Sequence, residues 1–294
     1  MQLRHVRYFV AIAEAGTVSG AATAVHVTQP ALSRQLRQLE ADLGVELFDR
    51  RAGRLVLSRT GRSLLPAAVA TLAAADEMRA SASFLEHGRL ECVMIAAPTV
   101  TLTDVVAPFI ATMSPQDPVV DVCAADGLSL IAMLDSGADL AIGLRPPPRS
   151  YAARILAELP VWAFVPRSDP WASRAHVPLD ELLTKPLICP PTTFASRQAL
   201  DVAVESARAS YASLREVANG TIAQAMAAAG RGVCVVSDDP RFDLVPIPIA
   251  LGDSHLQIRL HIAWDGRQAA ADDLGSLADR IVDFVGQKYG TAEQ

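Results

Sequence analysis

Lysine is almost missing from this sequence: Lys185 and Lys288 are its two examples, against 24 arginines in 294 residues. Cation chemistry therefore falls to arginine, whose planar fork suits phosphate. Cysteine is scarce too. Cys92, Cys123, Cys189 and Cys234 are far apart, each in an apolar stretch, with no CxxC and no Cys/His cluster. That excludes a disulfide framework and a zinc site, and predicts buried thiols in a reducing compartment. The six histidines (His5, His26, His87, His176, His255 and His261) include no i, i+4 pair, so no metal site is expected. No run of 18 apolar residues exists, and the N-terminus lacks a basic stretch followed by an apolar one. A membrane span and a signal peptide are thus not expected, and a cytoplasmic protein is. Catalytic signatures are also lacking. Gly16-Thr17-Val18-Ser19-Gly20 puts its serine one place late for G-x-S-x-G, and there is neither a P-loop nor a GxGxxG. An enzyme and a resident cofactor are not expected.

What is present supports two domains. Hydrophobic residues make up 51% and charged residues 20%, enough for sizeable cores and too apolar for disorder. The net charge of −6 hides an asymmetry. Residues 1–62 hold nine arginines and five acids, a balance of +4, which leaves −10 on the other 232 residues. A basic head on an acidic body implies that only the head meets a polyanion.

Within the head, Leu3, Val6, Phe9, Val10 and Ala13 fall at helical spacing and Gly16 ends that helix. A short helix from about Val18 to Val25 carries small residues that allow close packing, and His26-Val27 form a turn. Thr28 reads as an N-cap, with Pro30 in the first turn of a third helix over Gln29 to Leu43. Leu32, Leu36, Leu39 and Leu43 form its buried stripe, and Gly44 closes it. A hairpin follows, Leu47 to Leu57, turning at Gly53 with Arg50, Arg51 and Arg54 near its tip. Thr60 then caps a long helix to about Leu85, in which Leu65, Ala68, Leu72, Ala75 and Ala82 lie near a heptad seam, interrupted by Arg79, with Pro66 placed to kink it.

From Leu90 short strands alternate with helices. Strands are expected at Cys92–Ala96, Val119–Cys123, Leu140–Leu144, Val161–Val165, Leu187–Cys189, Val233–Val236 and Ile258–Trp264. Helices fit at about Asp104–Met113, Leu128–Asp135, Ala195–Ser210, Thr221–Ala229 and Asp272–Gln287. The alternation implies an α/β domain with mainly parallel sheets. Pro146-Pro147-Pro148 is a stiff connector.

Three helices with a tight turn and a basic wing make a DNA-docking unit. The third helix enters the major groove N-terminus first. That places Thr28, Gln29, Pro30, Ser33 and Arg34 at or near base edges: Gln pairs with adenine, Arg with guanine, and Pro touches a thymine methyl. Arg37, Arg50, Arg51 and Arg54 suit phosphates, which fix register without reading sequence.

The run from Ala21 to Glu40 (AATAVHVTQPALSRQLRQLE), with Leu43 to Arg50 (LGVELFDR) and Leu57 to Gly61 (LSRTG), resembles the LysR-type transcriptional regulators densely over about 60 residues and more weakly beyond. The resemblance implies an N-terminal all-α winged helix-turn-helix (1–59) and a long linker or dimerisation helix (60–88). It also implies a C-terminal α/β effector domain (89–294) of the type II periplasmic-binding-protein fold. Two crossover strands would join its subdomain I (about 89–160 and 265–294) to its subdomain II (about 161–264). Such regulators are homo-oligomers, dimers and usually tetramers, that bind double-stranded promoter DNA and respond to a small-molecule co-inducer. RNA polymerase is a candidate further partner, and a membrane is not. A solute-binding protein of the same fold would lack the basic head, and an enzyme would cluster acid and base groups in the cleft.

In that fold the effector lies between the subdomains, against strand ends and helix N-termini. Thr99, Thr101 and Thr103 stand at such a strand-to-helix turn and suit a carboxylate, or else one of them is only the helix cap. Relatives often carry Ser or Thr in the next loop, where this sequence has Asp126 and a displaced Ser129. In subdomain II the candidates are Thr192, Thr193, Phe194 and Asn219, each an effector contact or an ordinary cap or loop residue. Peroxide-sensing relatives pair two cysteines a few residues apart, but Cys189 has no such neighbour and residue 198 is Gln, so a disulfide switch is not expected.

Overall fold

The computed structural model describes residues 1–51 and 54–289, without the side chains at 50, 51, 54, 80, 83, 85 and 87. The chain divides into two compact units, parting in sequence after Glu86.

The first unit begins with helices α1 (Leu3–Ala15), α2 (Val18–Ala24) and α3 (Gln29–Leu43). Gly16 and Gly44 end α1 and α3 in the left-handed conformation, with φ of 64° and 70°, which glycine adopts without a Cβ penalty. Thr17 caps α2 by accepting the Gly20 N–H, and His26 turns the chain at φ 53°. Phe9, Ile12, Leu32, Leu36, Leu39, Leu47 and Phe48 form the core, with Phe9 and Phe48 edge to face at 5.7 Å. Two residues expected on the buried stripes lie at helix ends and are exposed, Leu3 at 39% and Leu43 at 41%. Strands β1 (Phe48–Arg51) and β2 (Arg54–Leu57) pair antiparallel, with Arg51 opposite Arg54. Helix α4 (Arg59–His87) follows, with Pro66 inside it. Its entry is held by Ser58, not by Thr60, which lies inside the helix. The Ser58 hydroxyl accepts the Gly61 N–H at 2.8 Å and donates to the Glu46 carbonyl at 2.7 Å.

In the second unit β3 (Cys92–Ala97) leads into α5 (Thr99–Thr101), a π-helical turn (Leu102–Val106) and α6 (Ala107–Ile110). Next come β4 (Val119–Ala124), α7 (Leu130–Asp135), β5 (Leu140–Gly143), β6 (Ala152–Pro160) and β7 (Trp162–Pro166). Then follow β8 (Val177–Pro178), α8 (Leu179–Leu182), β9 (Pro186–Cys189), α9 (Ala195–Ser206), β10 (Ser213–Glu216), α10 (Gly220–Ala228) and β11 (Val233–Val236). The chain closes with β12 (Leu244–Leu251), β13 (Ser254–His255), β14 (Gln257–Trp264) and α11 (Ala271–Tyr289).

One sheet has the order β4-β3-β5-β14-β6 and the other β10-β9-β11-β7-β12-β13, with β8 beside β12. The chain crosses between them twice, at Val161 and Leu256, and there the Val161 N–H donates to the Leu256 carbonyl at 2.8 Å. The second crossing corrects the expected boundary: Gln257–Trp264, assigned to subdomain II, is a strand of the first sheet. Both sheets are mixed rather than mainly parallel. β3 runs parallel to β4 and β5, whereas β14 is antiparallel to β5 and β6, and β7 to β11 and β12. Returning the chain through crossover strands forces this reversal. Among the described residues no helix is long and apolar enough to cross a membrane.

Candidate nucleic-acid interface and effector cavity

Helix α3 has two faces. Leu32, Leu36 and Leu39 lock one into the core, which fixes the direction of the other. At its N-terminus Thr28, Gln29, Pro30 and Arg34 are exposed, and Ser33 is half-buried. Thr28 makes no capping hydrogen bond with its side chain, contrary to the expected N-cap, so its hydroxyl stays available beside Gln29. Arg34 has no ion-pair partner among the described residues. Arg37 donates through Nε to the Ser33 carbonyl at 3.3 Å and is exposed. The side chains of Arg50, Arg51 and Arg54 lie outside the described residues, although their backbones form the hairpin.

The second unit contains a cavity of about 640 Å³ between its two sheets, the size of a small-molecule site. Val100, Leu128, Leu144, Leu159, Phe194 and Leu260 supply much of its apolar wall. Of the expected effector residues, Thr101, Ser129, Thr193 and Phe194 line it. Thr101 is 4% exposed, and among the described residues its hydroxyl has no hydrogen-bond partner. Ser129 accepts the Ala132 N–H at 3.2 Å, a helix cap at the cavity edge.

The other candidates are engaged elsewhere. Asp126 accepts the Thr99 N–H at 2.9 Å and the Thr99 hydroxyl at 2.5 Å, so these two hold each other beside the cavity wall. Thr103 donates back to the Thr99 carbonyl at 3.0 Å. The Thr192 carbonyl accepts from Gln198 at 2.9 Å, and Asn219 caps α10 by accepting the Ile222 N–H at 3.0 Å. These five residues do not line the cavity.

Several lining residues escaped the sequence reading: Asp104, Arg145, Gln198, Ser237 and Tyr289, with Leu159, Ile258 and Leu260 of the crossover strands. Asp104 is the hub of a polar cluster joining the two lobes. It meets Arg241 at 2.6 Å and accepts the Asp239 N–H at 3.0 Å. Lys288 bonds the Asp104 carbonyl and the Asp239 carboxylate, and the Tyr289 hydroxyl donates to Asp239 at 2.9 Å. Burial, then the neighbouring Asp239 charge, push the Tyr289 hydroxyl up to about 12, so it remains a donor. Asp238, buried beside them, is pushed up to about 6 by burial and then by Asp104.

Two family descriptions match. Residues 3–62 fit "Bacterial regulatory helix-turn-helix protein, lysR family", and residues 86–283 fit "LysR substrate binding domain". The regulator TfdT of Cupriavidus pinatubonensis is 31% identical over 204 residues, covering 65% of this chain and 86% of TfdT. TcbR of a Pseudomonas species is 45% identical over 65 residues, 22% of each chain. Among solved structures, full-length CbnR in complex with its target DNA superposes with a TM-score of 0.67 at 19% identity, covering 98% of this chain and 99% of CbnR. A full-length OxyR variant from Pseudomonas aeruginosa gives 0.65 at 21% identity over 100% of this chain and 99% of that one. The fold, the exposed reading helix and the two matched domains together place this chain in the LysR family of DNA-binding transcriptional regulators, with a helix-turn-helix head and an effector-binding domain and no enzymatic role.

Proposed function

We propose that this protein binds promoter DNA in the cytoplasm as a homo-oligomer, through paired heads, under the control of a small molecule held in the 640 Å³ cavity. The observation that carries the reading is α3, anchored by three buried leucines while Gln29, Pro30 and Arg34 stand free at its N-terminus. In the major groove those three read bases, while Arg37 and the hairpin arginines hold phosphates. Pairing of heads rests on α4, where Leu65, Ala68, Leu72 and Ala75 are only half-buried within a single chain. Occupancy of the cavity changes the angle between the lobes, and through the oligomer the bend in the DNA. Bound near a promoter, the protein lies within reach of RNA polymerase.

The test is a gel-shift titration with DNA from the protein's own upstream region against random DNA. A preference of about a thousandfold at physiological salt supports sequence-specific reading. Arg34→Ala should weaken specific binding by about 1–3 kcal/mol. An equal loss on random DNA would reassign Arg34 to the phosphates.

A further inference from the structure

The chain crosses between the two lobes of the effector domain at Val161 and Leu256, and a non-covalent joint ties the lobes together elsewhere. On the side of the first lobe stand Asp104, in the π-helical turn, and Lys288 and Tyr289, at the end of α11, which packs on β6 and β14. On the side of the second is the loop after β11, with Asp238, Asp239 and Arg241. Arg241 donates across to Asp104 at 2.6 Å, and the Asp239 N–H does so at 3.0 Å. In return Lys288 and Tyr289 donate to the Asp239 carboxylate at 2.8 and 2.9 Å. Asp104, Ser237 and Tyr289 also line the cavity, so the joint is part of its wall.

Arg241 stands between two carboxylates that differ in one respect. Its Nη2 is 2.6 Å from Asp104, across the joint, and its Nη1 is 3.8 Å from Asp238, in its own loop. Three carboxylates, Asp104, Asp238 and Asp239, face two cations, Arg241 and Lys288, which leaves one negative charge in excess. Asp104 and Asp238 are both buried, where such an excess is costly. Asp238 faces Asp104 from the π-helical turn, Asp239 and Arg241 from its own loop, and the neutral Cys234 thiol on β11. It also faces the start of α10, where Gly220 lacks the Cβ that would fill the place of the carboxylate. Lys288 and Tyr289 of α11 are turned to Asp239 instead. Among the described residues Arg241 is thus the ion-pair partner of Asp238. Burial and then the Asp104 charge push the Asp238 carboxyl up to about 6, so its charge changes while the protein is folded.

We propose that Asp104 and Asp238 compete for Arg241, and that this competition is a proton-gated latch between the lobes. With Asp238 protonated, Arg241 stays across the joint on Asp104 and the lobes are pinned. With Asp238 ionised, the guanidinium is drawn back towards its own loop, Asp104 loses part of its counter-charge, and the joint loosens. Because three of the residues around the latch line the cavity, its state sets how readily the cavity opens.

Amide hydrogen exchange of the full-length protein, followed by mass spectrometry from pH 5 to pH 8 and corrected for the intrinsic rate at each pH, reads the joint. In the wild type, protection of peptides spanning residues 99–106, 237–243 and 284–289 should fall together by about tenfold across that range. Peptides from β9 should keep theirs. Asp238→Asn, which resembles the protonated side chain, should hold the low-pH protection throughout. Arg241→Met should show the loosened level at every pH, and if it fails to fold, wild type against Asp238→Asn decides alone. Protection independent of pH in the wild type would overturn the latch. So would an Asp238→Asn protein whose protection falls in step with the wild type. A loss confined to residues 237–243 would also overturn it, because one loop would then loosen without the lobes parting.

Discussion

Asp104 and Arg241 meet at 2.6 Å, one from the π-helical turn of the first lobe and the other from the loop before β12 in the second. The pair closes the cluster beside the cavity, and Arg241 also bonds the Asp239 carbonyl at 3.0 Å. Removing the guanidinium leaves a buried carboxylate facing Asp238 and Asp239. Arg241→Met should therefore destabilise the effector domain by about 1–3 kcal/mol, the cost of a buried charged group losing its partner. Urea denaturation followed by tryptophan fluorescence checks this, since Trp162, Trp171 and Trp264 all lie in that domain. An unchanged midpoint would mean that Lys288 and backbone N–H groups suffice to hold Asp104.

Asp238 gives the same cluster a pH dependence. Its carboxyl titrates near 6 in the fold, against a usual 3.8. The folded state thus binds the proton more tightly than the unfolded chain. The contribution of Asp238 to stability is present in full below about pH 4 and is lost as pH rises through about 6. At 1.36 kcal/mol per pH unit the loss is about 2–3 kcal/mol at most. Asp238→Asn removes the charge with little change of shape and should raise the melting temperature at pH 8, with the gain shrinking towards pH 4. A gain independent of pH would assign the effect to packing against Gly220, where an added Cβ would lie 2.2 Å from the Asp238 carboxylate.

At the exit of the DNA-binding head, a Cβ on Gly61 would lie 2.0 Å from the Leu47 carbonyl oxygen, a backbone atom that cannot swing away. Gly61→Ala should cost about 1–3 kcal/mol or more, as overpacking does. Ser58→Ala, which removes the cap on the same turn, should cost about 1 kcal/mol. Thermal melting of both variants, with specific DNA binding as a second readout, measures this. A Gly61→Ala protein as stable as wild type would show that the helix entry shifts freely.

The head was legible because its signals are local, leucines at helical spacing and glycines at two helix ends, although Ser58 and not the expected Thr60 holds the entry of α4. The effector domain was less so. Strand β12 contains Pro246 and Pro248, which argue against a strand. Both nonetheless sit in the ladder with β7, opposite Phe164 and Trp162. Strand β6, with Ala152, Ala153, Glu158 and Pro160, has weak strand propensity and exists through its long ladder with β14. In the cavity, Thr101 and Phe194 were foreseeable from their places next to helix starts. Asp104, Ser237 and Tyr289 were not, because tertiary folding brings together residues up to 185 positions apart. The engagement of Asp126 with Thr99 was equally hidden, since chain order says nothing about which side chain fills a cap.

The thiols divide into two classes, correcting the expectation that all four are buried. Cys92 and Cys123 are exposed on strands at one edge of the first sheet, whereas Cys189 and Cys234 are buried in the second. Burial pushes the Cys189 thiol up to about 12 and Cys234 well above its ordinary value, so neither forms thiolate near neutral pH. Cys92 is also raised, by partial burial and then by Asp121. Cys189 and Cys234 stand on neighbouring strands, but Cys234 is opposite Ile188, one place out of step with Cys189. Successive strand residues point to opposite faces, and the two thiols accordingly belong to different core clusters on either side of the sheet. They cannot bond without a register slip that would turn every side chain of β11 around. Titration of the native protein with a thiol reagent at pH 8 should therefore count two reactive groups, Cys123 ahead of Cys92, and four after denaturation. Exposure to hydrogen peroxide should leave the Cys189 and Cys234 peptides unlinked by mass spectrometry. A native Cys189–Cys234 disulfide would contradict the register of β9 and β11.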